Sequence, residues 1–387
     1  MTAPVEILDL VRMRRARIEK LRAAMEAAAV DVLVLCGQNN VSYATGARVP
    51  AADHVRAGWW RNVAVFERKA QWPVVYTAYP DGVPSEIHTR PWIAVERDDA
   101  VDFAAHLPAG SLAIDDAPFP LWSAIANRGP VDASMVMGPA KLTKTPDELE
   151  CIRQAQSINE RAMREVRGAA IPGARATDLS NLFQQLIIED GATSNTVDPV
   201  FQVMPRAIAD GPFSVTGEIV YPLPTRPQTL TTGDVMWVDT GINLHGYASD
   251  FGATWTIGCE PDDHARVQFA RWRDIVDHTL AEIRPGATAA DLVKAAGLEH
   301  GRRPWLSYFY LAHGCGTDSA EMPFVGTDLG DDFDASLVLQ PGMVLVLEPV
   351  IWDDGHAGHR SEEIVAVTDT GYASLSERAV LDEAGAV

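Results

Sequence analysis

Residues 235–255 read VMWVDTGINLHGYASDFGATW, two apolar strand-like runs joined by a turn-forming stretch, and each run holds one aspartate, Asp239 and Asp250. A turn centred between Leu244 and His245 predicts that these acids face each other directly across an antiparallel pair, with Cβ atoms about 4.5–5.5 Å apart. Two desolvated carboxylates so placed cost several kcal/mol unless one takes up a proton or a cation lies between them. The chain must therefore bring positive charge to this point.

The pattern returns near the C-terminus. In GMVLVLEPVIWDDGHAGHRSEEIVAVTDTG, Glu348 closes one apolar strand and Glu362 opens another, and their midpoint, Gly355, falls in the turn-rich WDDGHAGH. A second hairpin thus sets a second pair of acids face to face. Between the hairpins lies YFYLAHGCGTDSAEMP, with His313 at the end of an aromatic strand. Two Asp, two Glu and one His form an oxygen-rich set suited to divalent Mn, Fe, Co or Zn. Four carboxylates are too many for one ion, whereas two ions roughly 3.5–4 Å apart, sharing carboxylates, nearly balance the charge.

The rest of the chain bounds the setting. At 387 residues and 47% hydrophobic content it is long enough for one large or two ordinary domains with a real core. An excess of 53 acidic over 32 basic residues, net charge -21, excludes nucleic acid and anionic membranes as partners, since phosphates need a basic face. Cys36, Cys151, Cys259 and Cys315 are far apart, as expected of reduced thiols. The opening MTAPVEILDLVRMRRARIEKL has no apolar core of signal-peptide length, and no run of about 18 apolar residues occurs, so the expectation is a cytoplasmic protein.

Val11, Ile18, Leu21 and Met25 recur at helical spacing over residues 9–29, and DVLVLCG (31–37) reads as a strand. Further strands are predicted at 62–66, 72–78, 92–96 and 111–115, giving an α/β domain over residues 1–139. The Gly- and Pro-rich stretch 128–141 suits a connection. A long helix then starts with Thr145 as N-cap, Pro146 in the first position and Glu148 completing a capping box; residues 140–387 form the second domain. Within it PGARATDL (172–179) and PGATAADL (285–292) recur at an offset of 113. Helix-start chemistry alone accounts for such a match; the sharper reading is two related α/β halves with a site between them.

The order Asp, Asp, His-Gly-x-Gly, Glu-Pro, Arg-x-Glu resembles the pita-bread metallohydrolases, a family that includes methionine aminopeptidase, aminopeptidase P, prolidase and creatinase. The resemblance rests on VSYATG (41–46), KLTKTPDELECIRQA (141–155), GDVMWVDTG with GYASD (233–250), HGCG (313–316), LQPGMVLVLEP (339–349) and RSEEIVAVTDTG (360–371). It implies an α/β (α+β) chain, a creatinase-like N-terminal domain followed by a pita-bread catalytic domain with a pseudo-twofold repeat. It further implies two divalent ions, Mn foremost, held by Asp239, Asp250, His313, Glu348 and Glu362. In that scheme Asp250 and Glu362 bridge the ions, Glu348 also serves as general base, and a metal-activated water attacks a peptide bond of Xaa-Pro type. Glu363 falls where the family has an acid that binds no metal, and Glu321 is retained as an active-site acid.

The departures point elsewhere. Ala320 stands where the peptidases carry a second histidine, Tyr221 and Pro222 occupy the neighbourhood of another, and Ala253 fills a slot where arginine is common. Arg360 survives, and it either steers a substrate carboxylate or pairs with local acids. A same-fold enzyme acting on a small non-peptide, by creatinase-like C–N hydrolysis or by β-elimination as in a dimethylsulfoniopropionate lyase, is the second reading; a non-catalytic binding protein on the peptidase scaffold is the third. The family also implies a homodimer in which an N-terminal loop completes the partner's pocket, and the segment with His54, Arg56, Trp59, Trp60 and Arg61 is the candidate.

Overall fold

Asp9 accepts the backbone N–H groups of Val11 and Arg12 at 2.9 and 3.0 Å, a cap that opens α1, Leu10–Ala27. The computed structural model describes residues 8–48, 61–207, 210, 225, 227–297, 305 and 310–379. Chain contacts divide them into two units, Met1–Asp147 and Glu148–Val387.

In the first unit α1 leads into β1 (Val32–Leu35), α2 (Gln38–Thr45), β2 (Val63–Glu67), β3 (Val74–Thr77), β4 (His88–Pro91), α3 (Asp99–His106), β5 (Leu112–Ile114), α4 (Phe119–Ile125), β6 (Val131–Asp132) and α5 (Ser134–Leu142). The strands form one sheet in the order β4-β3-β2-β1-β5-β6, with β1 parallel to β5 and antiparallel to β2. Every residue of β1 is buried, because helices cover both faces. Ile18, Leu21 and Met25 of α1 join Val136 and Met137 of α5 against Leu33 and Leu35, while Phe103, Leu121 and Ile125 meet Val32 and Val34.

Two expectations fail here. Residues 92–96 form no strand: the edge strand is β4, and Val95 turns inward to pack with Phe103. The stretch 128–141 is not a plain connection, since its second half is α5. Buried Val136, Met137 and Ala140 hold that helix despite Pro139 inside it, and the Tyr43 hydroxyl donates to the Ala140 carbonyl at 2.8 Å. Core burial has overridden local propensity.

The second unit begins within α6, Pro146–Ala169, and continues through α7 (Ala176–Glu189), β7 (Ser194–Asn195), β8 (Val200–Val203), β9 (Val235–Thr240), β10 (Ile242–Leu244), β11 (Tyr247–Ala248) and β12 (Phe251–Thr256). Then come α8 (Asp263–Glu282), α9 (Ala289–Ala295), β13 (Ala312–Gly314), β14 (Glu321–Val325), α10 (Asp331–Ser336), β15 (Val344–Leu347), β16 (Ile351–Trp352), β17 (Gly358–His359), β18 (Glu363–Val367) and β19 (Tyr372–Ser374). Two main sheets result, β12-β9-β8 and β14-β13-β15-β18-β19. Among the described residues no helix is long and apolar enough to cross a membrane.

The repeated octapeptide is one structural device used twice. Gly173 N–H donates to Leu230 O, Leu230 N–H to Ala174 O and Ala176 N–H to Gln228 O, each at 2.8 Å. Gly286, Leu339 and Ala289 make the corresponding bonds to Leu339, Ala287 and Leu337 at 2.9, 2.8 and 2.9 Å. Both glycines have positive φ, +92° and +85°, a conformation that costs glycine little.

Candidate metal centre

The first hairpin differs from the predicted register. Its tight turn is His245-Gly246, with φ of 54° and 86°, flanked by the pair Leu244↔Tyr247; a two-residue turn with both φ positive matches the strand twist. Asp239 therefore faces Gly252, not Asp250, and Thr240 faces Phe251. Asp250 lies two residues before Gly252 and so shares the face of Asp239 as its diagonal neighbour. In the second hairpin the ladder ends at Leu347↔Glu363, which puts Glu348 and Glu362 at the next register position.

One oxygen each from Asp239, Asp250 and Glu362 lies within 4.8 Å of the others, and all three side chains are buried. His313 Nε2 stands 2.9 Å from Glu348 Oε1 and 3.5 Å from Asp250 Oδ2, while its Nδ1 donates to the Gly314 carbonyl at 2.9 Å. That bond fixes the ring with Nε2 toward the acids. Arg360 donates through Nη1 to Asp239 and through Nε to Glu348, both at 2.9 Å, and its Nη2 also contacts Glu348 and Glu362. Of the two readings for Arg360, the geometry favours pairing with local acids over steering a substrate.

Burial, then the neighbouring Glu362, Asp239 and Glu348 charges, push Asp250 well above the usual carboxylate range. Burial raises Glu362 to about 8, against the pull of Arg360. Burial also raises Asp239 despite Arg360. Only Glu348 ends below its ordinary value, because Arg360 and His313 together outweigh burial. Although Arg360 Nη2 lies against Glu362 Oε1, it is off the hydrogen-bonding direction, and neither Glu362 oxygen has a hydrogen-bond partner. Four acids against one guanidinium and one imidazole, itself pushed up against the pull of burial by Glu348, still leave a deficit of positive charge when all four are ionised, which is the condition a divalent cation relieves.

Residues 150–369 match metallopeptidase family M24, and residues 17–60 match the creatinase/prolidase N-terminal domain. The chain belongs to metallopeptidase family M24. It is 28% identical over 250 residues to the probable dipeptidase PepE of Mycobacterium tuberculosis, a match covering 64% of this chain and 62% of that relative's length. In fold it resembles dipeptidase PepE from Mycobacterium ulcerans (TM-score 0.73, 22% identity, 96% of this chain and 97% of that one). It also resembles an Xaa-Pro dipeptidase from Bacillus anthracis (TM-score 0.74, 20% identity, 95% and 98%). These likenesses agree with a mixed α/β chain carrying a creatinase-like N-terminal domain and an M24 domain.

The remaining predicted residues lie in varied places. Glu363 points away from the acids, its Oε1 accepting from Arg273 Nη1 at 2.5 Å and from Ala379 N–H at 3.0 Å. The Glu321 carboxylate sits over Gly316, where a Cβ would come within 2.2 Å of Oε1. Ala320 is exposed, and Ala253 packs against the core cluster around α6 and α7. Arg61, in the first unit, binds Glu96 and Asp116 at 2.9 and 3.0 Å. Tyr221, His54, Arg56, Trp59 and Trp60 lie outside the described residues. A cavity of about 250 Å³ lies by the Val235–Thr256 end of β9 and β12; Thr254 and His359 also line it, and none of the four clustered acids does.

Two residues escaped the sequence reading. Gly252 makes room for Glu362: a Cβ there would lie 2.4 Å from Glu362 Oε1. Asn159 of α6 bonds to both residues that flank the aspartates on the inner side of the hairpin, Thr240 and Ser249. The available signal was an amide at helical spacing with the apolar Ile152, Ala155, Met163 and Val166.

Proposed function

We propose that this chain is a dinuclear metallopeptidase that cleaves short peptides at Xaa-Pro bonds. The observation that supports it is the buried cluster of Asp239, Asp250 and Glu362, whose oxygens converge while neither Glu362 oxygen accepts a hydrogen bond. Asp239, Asp250, Glu348 and Glu362 would hold the ions through carboxylate oxygens and His313 through its Nε2. Mn is the expected metal. Two such cations supply the charge that acidifies a water and polarises a carbonyl.

The chain's own groups do the rest. Glu348, kept ionised by Arg360 and His313, accepts the water's proton and returns it to the leaving amine. Arg360 holds Asp239 and Glu348 in place through its bonds to both. The names of the similar proteins, a probable dipeptidase and an Xaa-Pro dipeptidase, support a short-peptide substrate. The same reading includes a cytoplasmic homodimer in which the segment bearing His54, Trp59 and Arg61 stands near the partner's pocket.

One observation favours a second reading. Ala320 offers no donor where the peptidases place a histidine, which suits a small non-peptide substrate cleaved at C–N or by β-elimination. Metal analysis of purified protein, followed by Mn-supplemented assays on Ala-Pro and longer Xaa-Pro peptides, separates the two. The expected result is close to two ions per chain and measurable peptide hydrolysis, with both lost in Asp250→Ala while the fold persists. Two ions with no turnover across the peptide panel, but turnover of a small amine or sulfonium compound, would select the second reading; a metal-free native protein would end both.

A further inference from the structure

Helix α6 carries Gln156, Asn159 and Glu160 at positions i, i+3 and i+4, all buried at 1%, 0% and 8% exposure. A buried polar helix face is costly unless every group is bonded; here both amides reach the first hairpin, while Glu160 accepts the Glu377 N–H at 2.8 Å. Asn159 Nδ2 donates to the Thr240 carbonyl at 2.8 Å and to Ser249 Oγ at 3.0 Å, and its Oδ1 accepts from the Thr240 hydroxyl at 2.9 Å. Ser249 Oγ also accepts the Ile242 N–H at 3.1 Å. Gln156 Oε1 accepts the Asp250 N–H at 3.1 Å, and its Nε2 donates to Glu160 at 3.0 Å. One amide thus ties the residue after Asp239 to the residue before Asp250, and a second holds the Asp250 backbone itself.

The architecture does not require amides there. Shifted by the repeat offset of 113, Gln156 and Asn159 correspond to Phe269 and Trp272 on α8. Those rings pack on His359, with centroids 5.3 and 5.7 Å away. In the second half the buried amide of α8, Gln268, reaches the turn at the Ala357 carbonyl (2.9 Å) and bridges no pair of ligand-bearing strand ends, so the clamp in the first half has a local purpose. Asp239 and Asp250 repel each other when ionised, and the clamp adds to the backbone pairing of Thr240 with Phe251 in opposing that repulsion.

We propose that Asn159, supported by Gln156, is a positioning residue that fixes the separation of Asp239 and Asp250 for cation binding. The inference rests on the two-ion reading above. Groups that orient metal ligands from behind typically change metal affinity by roughly 10–100-fold when removed.

The test is titration of Mn(II) alone into cation-free wild type, Asn159→Leu and a control, Met163→Ala, with the melting temperature of each cation-free protein recorded. Met163 is a core residue of the same helix, one turn beyond Asn159 and 1% exposed, and its truncation leaves a cavity without removing a hydrogen bond of the clamp. Asn159→Leu should bind Mn(II) roughly 10–100-fold more weakly, whereas Met163→Ala should lower the melting temperature with Mn affinity unchanged. Equal affinity in Asn159→Leu and wild type, or an equal loss in Met163→Ala, would overturn the proposal. Wild type that binds no Mn(II) would instead overturn the two-ion reading beneath it. If Asn159→Leu does not fold, the double variant Thr240→Val/Ser249→Ala removes two of the three Asn159 bonds from the far side, leaving the one to the Thr240 carbonyl, and weaker Mn(II) binding than wild type is expected of it, with equal affinity overturning the proposal.

Discussion

The two halves of the second unit solve one problem with different side chains. An offset of 109 carries Asp239 onto Glu348, and the strand starts match: Gly233 N–H donates to Ile257 O and Gly342 N–H to Val367 O, both at 2.8 Å. Across from these acids the halves part company. Glu348 stands opposite Glu362 in register, but Asp239 stands opposite Gly252, which has no side chain. Glu362 N–H donates to Gly252 O at 3.0 Å, so the two positions meet. Only one of them has room for a carboxylate. Charge divides as well, since an offset of 110 sets the anion Asp250 against the cation Arg360. A repeated backbone has become an asymmetric site through steric exclusion and charge alternation.

Giving Gly252 a side chain breaks this comparison most directly. Its φ is not in the left-handed region, so space alone forbids a methyl group, and the space is held by Glu362 Oε1, Cδ and Cγ at 2.4–2.9 Å. Overpacking of this kind costs roughly 1–3 kcal/mol. Gly252→Ala should also displace Glu362 and cut Mn loading and activity at least about 100-fold, if loss of a ligand exceeds the roughly 10–100-fold typical of groups behind one. Metal analysis and denaturant unfolding measure both. A variant with full metal content would show that Glu362 is not a ligand.

The next difference is Ser249 against His359, also 110 apart. Ser249 is hydrogen-bonded to Asn159, whereas His359 sits between Phe269 and Trp272, and burial, then nearby Arg273, pushes its imidazole down to about 3. An unfolded histidine titrates near 6.5. Between those values the unfolded chain binds a proton that the folded chain does not. Stability from this group is therefore complete above pH 6.5 and falls by about 1.4 kcal/mol per pH unit as pH drops toward 3. Unfolding free energies at pH 7 and 4.5 should diverge less in His359→Phe than in wild type, by close to one bound proton. An unchanged slope would assign the acid sensitivity to other groups.

The legible parts of the site were those whose chemistry survives an error of register. Acids in apolar runs need a proton or a cation whichever pair faces which, so the Asp239, Asp250, Glu348 and Glu362 set was visible although the first hairpin turns at His245-Gly246. Gly252 was invisible because its contribution is an empty volume that only Glu362, 110 residues on, defines. Asn159 was invisible for a similar reason: its partners lie 81 and 90 residues away. In the first unit, Gly138 and Pro139 argued locally for a connection, and only the packing of Val136 and Met137 beside α1 reverses that. The strands with continuous apolar runs, such as β1, carried their own evidence of burial.

The smallest expected effect lies in the repeated octapeptide itself. At offset 113 Arg175 corresponds to Thr288, and each is the N-cap of its helix. Thr288 Oγ1 accepts the Asp291 N–H at 3.1 Å while Asp291 Oδ2 accepts the Thr288 N–H at 2.8 Å, a complete capping box. Arg175 has no such bond; its guanidinium instead pairs with Asp178 in solvent, at 2.7 Å. Exposed pairs of this kind contribute little. Thr288→Ala should therefore cost about 1 kcal/mol, and Arg175→Thr, which places a hydroxyl three residues before Asp178, should raise the melting temperature slightly. Neither change should alter Mn binding, because both caps lie outside the acid cluster. If Arg175→Thr lowers the melting temperature instead, the guanidinium does more for α7 than a cap would, and the two octapeptides are alike in backbone only.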